Sequence, residues 1–504
     1  MTETTAKKLK ELYKTLATLR TYSHALGILN FDFETASPVN GKEQEADAIS
    51  YFSNQAFKIK NSKKVKDLVV YLEEHRAELD PRDGRLIEKL YGSYKKEKNV
   101  SPATQLKWSK IEAKAYIDWE KAKRASDFKL FRRSLEKMTE MQKEAVALRV
   151  DPLPDVYDEL LSDYEKGFTT KELDVFFEEL KIGLIDILGK IRSSGRVIRR
   201  DFLSRKVPVY KQEIFSRYLL ELNGYDLTRG YLTTTEHPFT SSIAENDARV
   251  TTHYYEDMFV SNVYSVIHEG GHAIFMQNEP KEDHEHFLND YITNGMHESV
   301  SRFYENVIGR SEEYVRLIYP EFHRLFADEL GDVTERELYE AVNIVEPSLI
   351  RTEADEVTYG LHIVVRYEVE KAILRGEIDI KDVPKLWNAL YEKYLGVTPT
   401  SDAVGVLQDV HWSGGYGYFP SYAIGNAYNA MYLKEIKKDM DFYKTIERGD
   451  LAAIREWLSS RVFKNANMLD PKPWLFELTG KTLSAKDFLE YLNEKYSKIY
   501  GFQN

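Results

Sequence analysis

Apolar residues recur at helical spacing along most of the chain, and no linker interrupts them. Leu9, Leu12, Tyr13, Leu16 and Leu19 set the interval near the N-terminus, and it returns through Leu106–Leu148 between long charged runs. Residues three and four apart share one face of a helix, so such a chain buries its stripes by packing helix on helix. The breakers are few: Asp80-Pro81, Ser101-Pro102, Asp151-Pro152-Leu153-Pro154, Tyr319-Pro320 and Asp470-Pro471-Lys472-Pro473. None opens a Ser/Gly linker, and there is no internal repeat or low-complexity tract. Although 504 residues could make several domains, the pattern predicts one large helical body over residues 1–504. One segment reads as a strand. Ala248–Tyr255 is rich in β-branched and aromatic residues and follows the polar turn Glu245-Asn246-Asp247. Residues 413–420, Ser-Gly-Gly-Tyr-Gly-Tyr-Phe-Pro, form the most Gly-rich loop.

Charge and cysteine content exclude several function classes. A net charge of −12 argues against nucleic acid as the main partner, because phosphate binding needs a basic surface. The chain has no cysteine, which rules out disulfides, thiolate ligands and a cysteine nucleophile. The start, MTETTAKKLKELYKTLATLR, lacks the apolar core of a signal peptide, and no later stretch could span a bilayer. The expectation is a cytoplasmic protein with neither membrane nor nucleic acid as partner.

The chemistry centres on His268-Glu269-Gly270-Gly271-His272, the pattern HEXXH. Helical residues four apart lie about 40° apart around the axis, so both imidazoles can reach one zinc ion. The Glu between them can then meet an attacking water as general base. Phe259, Val263, Val266, Ile267 and Ile274 form one apolar stripe, and both histidines lie roughly opposite it. Chance alone produces HEXXH in roughly three such chains per hundred. A catalytic site also needs a third ligand and one open position. Glu298, 26 residues beyond His272, is the candidate. It shares a helix face with Ser301, Arg302 and Glu305, away from the apolar stripe of Val300, Phe303, Tyr304, Val307 and Ile308. His297 is a rival, as are His284 and His286 in the loop Glu279–His286, which reads as solvated.

An ordered set of motifs resembles the thermostable metallocarboxypeptidases of the Taq type. In sequence they are His237-Pro238-Phe239, Asp247-Ala248-Arg249-Val250-Thr251, HEXXH at 268–272 and His297-Glu298-Ser299. Ile350-Arg351-Thr352-Glu353-Ala354-Asp355 and Gly405-Val406-Leu407-Gln408-Asp409-Val410-His411-Trp412 complete it. Trp119–Lys123 and Tyr157–Leu161 extend the likeness toward the N-terminus. Two positions depart from the family pattern: Phe31 in Phe31-Asp32-Phe33-Glu34-Thr35 stands where Trp is expected, and Val300 where Gln is usual. The resemblance implies a mainly α fold, a saddle-like helical body with a deep groove and a small β-sheet beside the HEXXH helix. Helices up to about residue 200 would cover the groove, and residues from about 201 would form the catalytic part. It further implies a homodimer, one divalent ion per chain (zinc or cobalt), and release of single C-terminal residues from peptides with broad specificity.

Within those motifs each residue type suits a step. An arginine fork pairs a terminal carboxylate, which points to Arg351, with Arg249 next. The competing role for Arg351 is an ion pair with Glu353 or Asp355. An oxyanion needs a fixed donor, and His411 and Tyr418 are the candidates, with Tyr416 and Tyr422 as alternatives. The stretch His411–Tyr418 also resembles the Gly-Tyr loop of thimet-type oligopeptidases. Gln408 reads as a substrate contact or a loop brace, and His237 as a substrate contact. Two other readings compete: a zinc oligopeptidase cutting inside short peptides, and a helical scaffold with structural zinc.

Overall fold

The structure is a computed structural model that describes residues 1–289 and 291–503. Helix takes 70% of it and strand 3%. The N-terminal stretch forms α1 (Glu3–Thr35), α2 (Lys42–Lys60), α3 (Lys63–Glu74), α4 (Pro81–Glu97), α5 (Pro102–Ala125), α6 (Lys129–Ala147), α7 (Val156–Leu161) and α8 (Thr170–Ser194). Then α9 (Val209–Asn223) leads into β1 (Gly230–Thr234), β2 (Thr240–Ala244) and β3 (Asp247–Thr252). Beyond them run α10 (Phe259–Gln277), α11 (Lys281–Glu285), α12 (Asn294–Arg302), α13 (Glu312–Leu330), α14 (Glu335–Ala341), α15 (Thr358–Arg375), α16 (Val383–Leu395) and α17 (Pro420–Asp439). The chain ends in α18 (Phe442–Glu447), α19 (Leu451–Leu458), α20 (Pro471–Thr479) and α21 (Lys486–Tyr500).

Three of the breakers that punctuate the sequence start helices. Pro81, Pro102 and Pro471 occupy first-turn positions, where a missing N–H costs nothing. Asp80 caps α4 by accepting from the backbone N–H of Arg82 and Asp83, and Ser101 caps α5. Pro320 differs: α13 runs through it, and the backbone leaves helical angles six residues later at Phe326.

The strand expected at 248–255 extends from Asp247 to Thr252 and is the centre of the sheet. β1 pairs with it in parallel and β2 antiparallel, so that Val250 lies opposite both Leu232 and Thr240. Alternation along the strands divides the two faces. Thr240 reaches α10, while Ile243 packs on Gly27 and Phe239 on Phe31, both of α1. The sheet is thus held between the HEXXH helix and the first helix.

A small apolar core joins α1, α3 and α4 through residues such as Leu12, Leu72 and Leu86, and Leu288 plugs into it. Nearly all the other buried apolar side chains form one continuous core. This explains why Glu279–His286 is not the solvated loop its charges imply. Lys281–Glu285 is helical, and Asp283 is fully buried, receiving bonds from Arg82 and Asn467.

Candidate active site

Burial surrounds α10 except along one stripe. Apart from Val260, the partly open residues are Ser261, Ser265, His268, His272 and Met276, at helical spacing. Two glycines between the histidines let neighbouring helices close in. A Cβ on Gly270 would meet Leu220 at 2.7 Å, and one on Gly271 would meet the Ser301 backbone at 2.8 Å. From the other side, Gly425 of α17 admits α12, where a Cβ would lie 3.2 Å from that of Glu298. These contacts bring the α12 carboxylate under the α10 imidazoles.

Glu298 Oε2 lies 3.7 Å from His268 Nε2 and 3.5 Å from His272 Nε2. A tetrahedral ion with bonds of about 2.1 Å sets its ligand atoms about 3.4 Å apart. The donor set therefore fits a divalent cation: two imidazole nitrogens and one carboxylate oxygen. The remaining ring nitrogens are already engaged. His268 Nδ1–H donates to Glu305 Oε2 at 2.9 Å, and His272 Nδ1 meets His297 Nδ1 at 2.5 Å. Each Nδ1 partner leaves Nε2 free to bind metal. Burial and the neighbouring His272 push His297 down to about 3, so it is neutral and accepts the His272 proton.

Arg302 ties the two carboxylates together. Its Nε donates to Glu298 Oε1 at 2.8 Å and its Nη1 to Glu305 Oε2 at 3.0 Å. Burial alone would raise both carboxyls. His268 and Arg302 outweigh it at Glu298, and Arg302 with His268 holds Glu305 down at about 2. Glu305 reaches His268 from a π-helical turn, Phe303–Ile308, that continues α12; such turns often re-aim a side chain at a functional site. The sequence reading grouped Arg302 and Glu305 with Glu298 but gave them no part. Their spacing on one polar face was the available signal.

Glu269 Oε2 accepts from the Thr240 hydroxyl at 2.6 Å, a contact between helix and sheet that no local spacing announces. The rival ligands lie elsewhere. His284 is buried beside Glu279, with Nε2 3.6 Å from Oε2, and His286 bonds to Tyr13 and Asp83. His297 stands behind His272.

Arg351 is buried and pairs with Asp409 through Nε at 3.0 Å, rather than with Glu353 or Asp355. Its Nη1 donates to the Tyr359 hydroxyl at 3.3 Å. Asp409 also receives Arg366 and sits 4.0 Å from His411 Nδ1. Against the pull of Asp409, burial pushes the His411 imidazole down to about 4, so it is neutral at physiological pH. Its ring lies 5.3 Å from Tyr418, which stands edge-on to Tyr422 at 5.3 Å. Tyr416 is buried, bonded to Thr139 at 2.7 Å and turned away from this group.

Three other candidates occupy different settings. The Gln408 amide accepts from Arg351 N and Arg366 Nη2 and donates to the Leu349 carbonyl, so it braces its loop. Arg249 is held by both oxygens of Asp247 on the α1 face of the sheet, opposite the face that meets Glu269. His237 is exposed in the turn between β1 and β2. Of the two departures from the family pattern, Val300 is fully buried in the core, and Phe31 packs against Phe239 and Tyr231.

One feature of α15 escaped the sequence reading. This helix is buried almost throughout, yet Tyr359, His362, Arg366 and Glu370 form a polar stripe along it. They hold Arg351, Tyr391, Asp409 and the backbone of Gly417 in turn. Spacing of three or four between polar residues in an apolar helix would have revealed it.

Known proteins match along nearly the whole length. The sequence pattern described as Carboxypeptidase Taq (M32) metallopeptidase fits residues 11–496. Carboxypeptidase 1 of Bacillus subtilis is 37% identical over 496 residues, covering 97% of this chain and 98% of that protein. Thermostable carboxypeptidase 1 of Thermus thermophilus is 37% identical over 457 residues, covering 85% of this chain and 89% of its own. A solved structure of an M32 carboxypeptidase from Deinococcus radiodurans superposes with a TM-score of 0.94 at 29% identity, covering 98% of this chain and 100% of that one. Together with the fold and the His/His/Glu cluster, these matches establish that the chain belongs to the carboxypeptidase Taq (M32) family and is a metallocarboxypeptidase.

Proposed function

We propose that His268, His272 and Glu298 hold one catalytic divalent ion, zinc by preference with cobalt as an alternative. The observation that carries this is the convergence of two Nε2 atoms on Glu298 Oε2 at 3.5 and 3.7 Å. The ion would supply a Lewis acid that acidifies water and polarises the scissile carbonyl. Glu269, aligned by Thr240, takes the proton of the attacking water as the C–O bond forms, and returns it to the leaving amine as C–N breaks. Neutral His411 and Tyr418 donate to the oxyanion. Arg351 pairs with the free C-terminal carboxylate, which makes the enzyme an exopeptidase of broad specificity.

The same reading takes the chain as a cytoplasmic homodimer and as a single domain. Helices up to about residue 200 would cover the groove. The Tyr164 ring against Tyr418 supports that role, as does the bond from Gly295 N–H to Glu165.

One experiment tests the core of it. Purified protein is incubated with an N-blocked peptide, with chelator or with added zinc, and products are followed by mass spectrometry. Stepwise loss of single C-terminal residues, abolished by chelator and restored by zinc, is expected. Internal fragments would replace this reading with an oligopeptidase one. Activity insensitive to chelation would remove the catalytic ion.

A further inference from the structure

Glu370 lies at the foot of the α15 stripe, fully buried. Its Oε2 accepts from Gly417 N–H at 3.2 Å and from the Tyr157 hydroxyl of α7 at 3.0 Å. Among the described residues, its Oε1 meets no hydrogen-bond partner. Gly417 adopts a φ of +89°, in the left-handed region, and a Cβ there would lie 2.8 Å from the Leu161 backbone nitrogen. The next residue is Tyr418. A buried carboxyl on a rigid helix therefore grips the Tyr416–Gly417 peptide unit, one residue ahead of Tyr418, and the other hydrogen bond to the same oxygen anchors α7. Tyr164, just beyond α7, closes the cage edge-on to the Tyr418 ring at 5.2 Å.

We propose that Glu370 is a positioning residue, which fixes the Tyr416–Gly417 peptide leading into Tyr418 so that the Tyr418 hydroxyl meets the oxyanion. This rests on Tyr418 being the donor. Burial pushes Glu370 up to about 8, so at neutral pH the side chain carries a proton, and glutamine is its close mimic. The bond to Gly417 needs only an acceptor oxygen, which glutamine keeps and leucine lacks.

The test is a double-mutant cycle read in kcat and KM separately. Tyr418→Phe removes an oxyanion donor and lowers kcat about 100-fold. Glu370→Leu misplaces that donor and lowers kcat roughly 10- to 100-fold, with KM and metal content unchanged. E370Q keeps native kcat. Adding Glu370→Leu to Tyr418→Phe causes no further loss, because the two act through one contact. If Glu370→Leu does not fold, Glu370→Met takes its place in the cycle. Additive losses, a rise in KM alone, or failure of E370Q to keep kcat would each overturn the positioning role. Native kcat in Tyr418→Phe would instead remove the donor reading itself, an outcome distinct from the others.

Discussion

The Arg302 guanidinium carbon lies 4.4 Å from the centre of the Tyr359 ring, and the hydroxyl of that ring accepts a bond from Arg351. Arg302 belongs to the proposed metal site and Arg351 to the proposed carboxylate clamp. One aromatic side chain therefore separates two cationic groups while contacting both. Tyr359→Phe keeps the ring over Arg302 but removes the acceptor for Arg351. Metal content should stay native, while KM for acid-terminated peptides rises roughly 10- to 100-fold, the worth of one hydrogen bond to a charged group. A loss of metal in that variant would place Tyr359 in the metal site instead.

Removing ligands and their supports should give graded losses. His268→Ala, His272→Ala and Glu298→Ala should each abolish stable metal binding. Glu305→Ala leaves the three ligands in place but frees His268 to rotate, so affinity should fall about 10- to 100-fold. Competition with a chromophoric chelator measures both. Full occupancy in Glu298→Ala would displace it as third ligand.

Glu269→Gln keeps the acceptor for Thr240 but cannot take a proton. Metal content and melting temperature should be native, with kcat lowered by about 100-fold or more. Turnover near native would overturn the assignment of the base.

Arg351→Ala removes the proposed clamp and leaves Asp409 with Arg366 as its remaining cationic partner. A lost charge-assisted pair costs on the order of 2–5 kcal/mol in kcat/KM for acid-terminated peptides. C-terminally amidated peptides, already poor substrates, should lose much less. A matched acid/amide pair measured in both proteins decides it. An unchanged ratio moves the clamp elsewhere, and the ion pair with Asp247 makes Arg249 a constrained replacement.

Two buried carboxyls should shape the pH dependence of stability. Burial pushes Glu165 up to about 7 and Glu370 up to about 8. Both keep a proton in the folded chain at pH values where the unfolded chain, with carboxyls near 4.5, has released it. The folded state then binds more protons at these two groups, so their contribution to stability is greatest below about 4.5 and falls as pH rises toward the folded values. Each group contributes a slope of up to about 1.4 kcal/mol per pH unit. Denaturant unfolding from about pH 5 to 8 should show a flatter decline in Glu370→Gln than in the native chain. Equal slopes would mean that Glu370 is ionised in the fold.

What the sequence disclosed follows from where each constraint resides. His268, His272 and Glu298 were readable because helical periodicity places them on faces that the apolar stripes leave open. The helical body was readable for the same reason, and β3 because its β-branched run stands out. Contacts between elements were not. Thr240 meets Glu269 across a sheet–helix junction, and Arg351 finds Asp409, 58 residues on, in preference to the acids beside it. Pro320 inside α13 shows a break signal overridden by packing. The buried turn at Asp283 shows charge misread as exposure, because its partners Arg82 and Asn467 are remote in sequence.

The stripe along α15 has a consequence for how this enzyme can vary. Arg351 precedes this helix, and Asp409 and Gly417 lie together between α16 and α17, yet all three are referenced to one rigid rod. A change that rolls this rod about its own axis would carry the proposed clamp and the proposed oxyanion donor in the same sense. Ground-state affinity and turnover would then drift as a coupled pair, and tuning one without the other requires changes in the loops rather than in the helix.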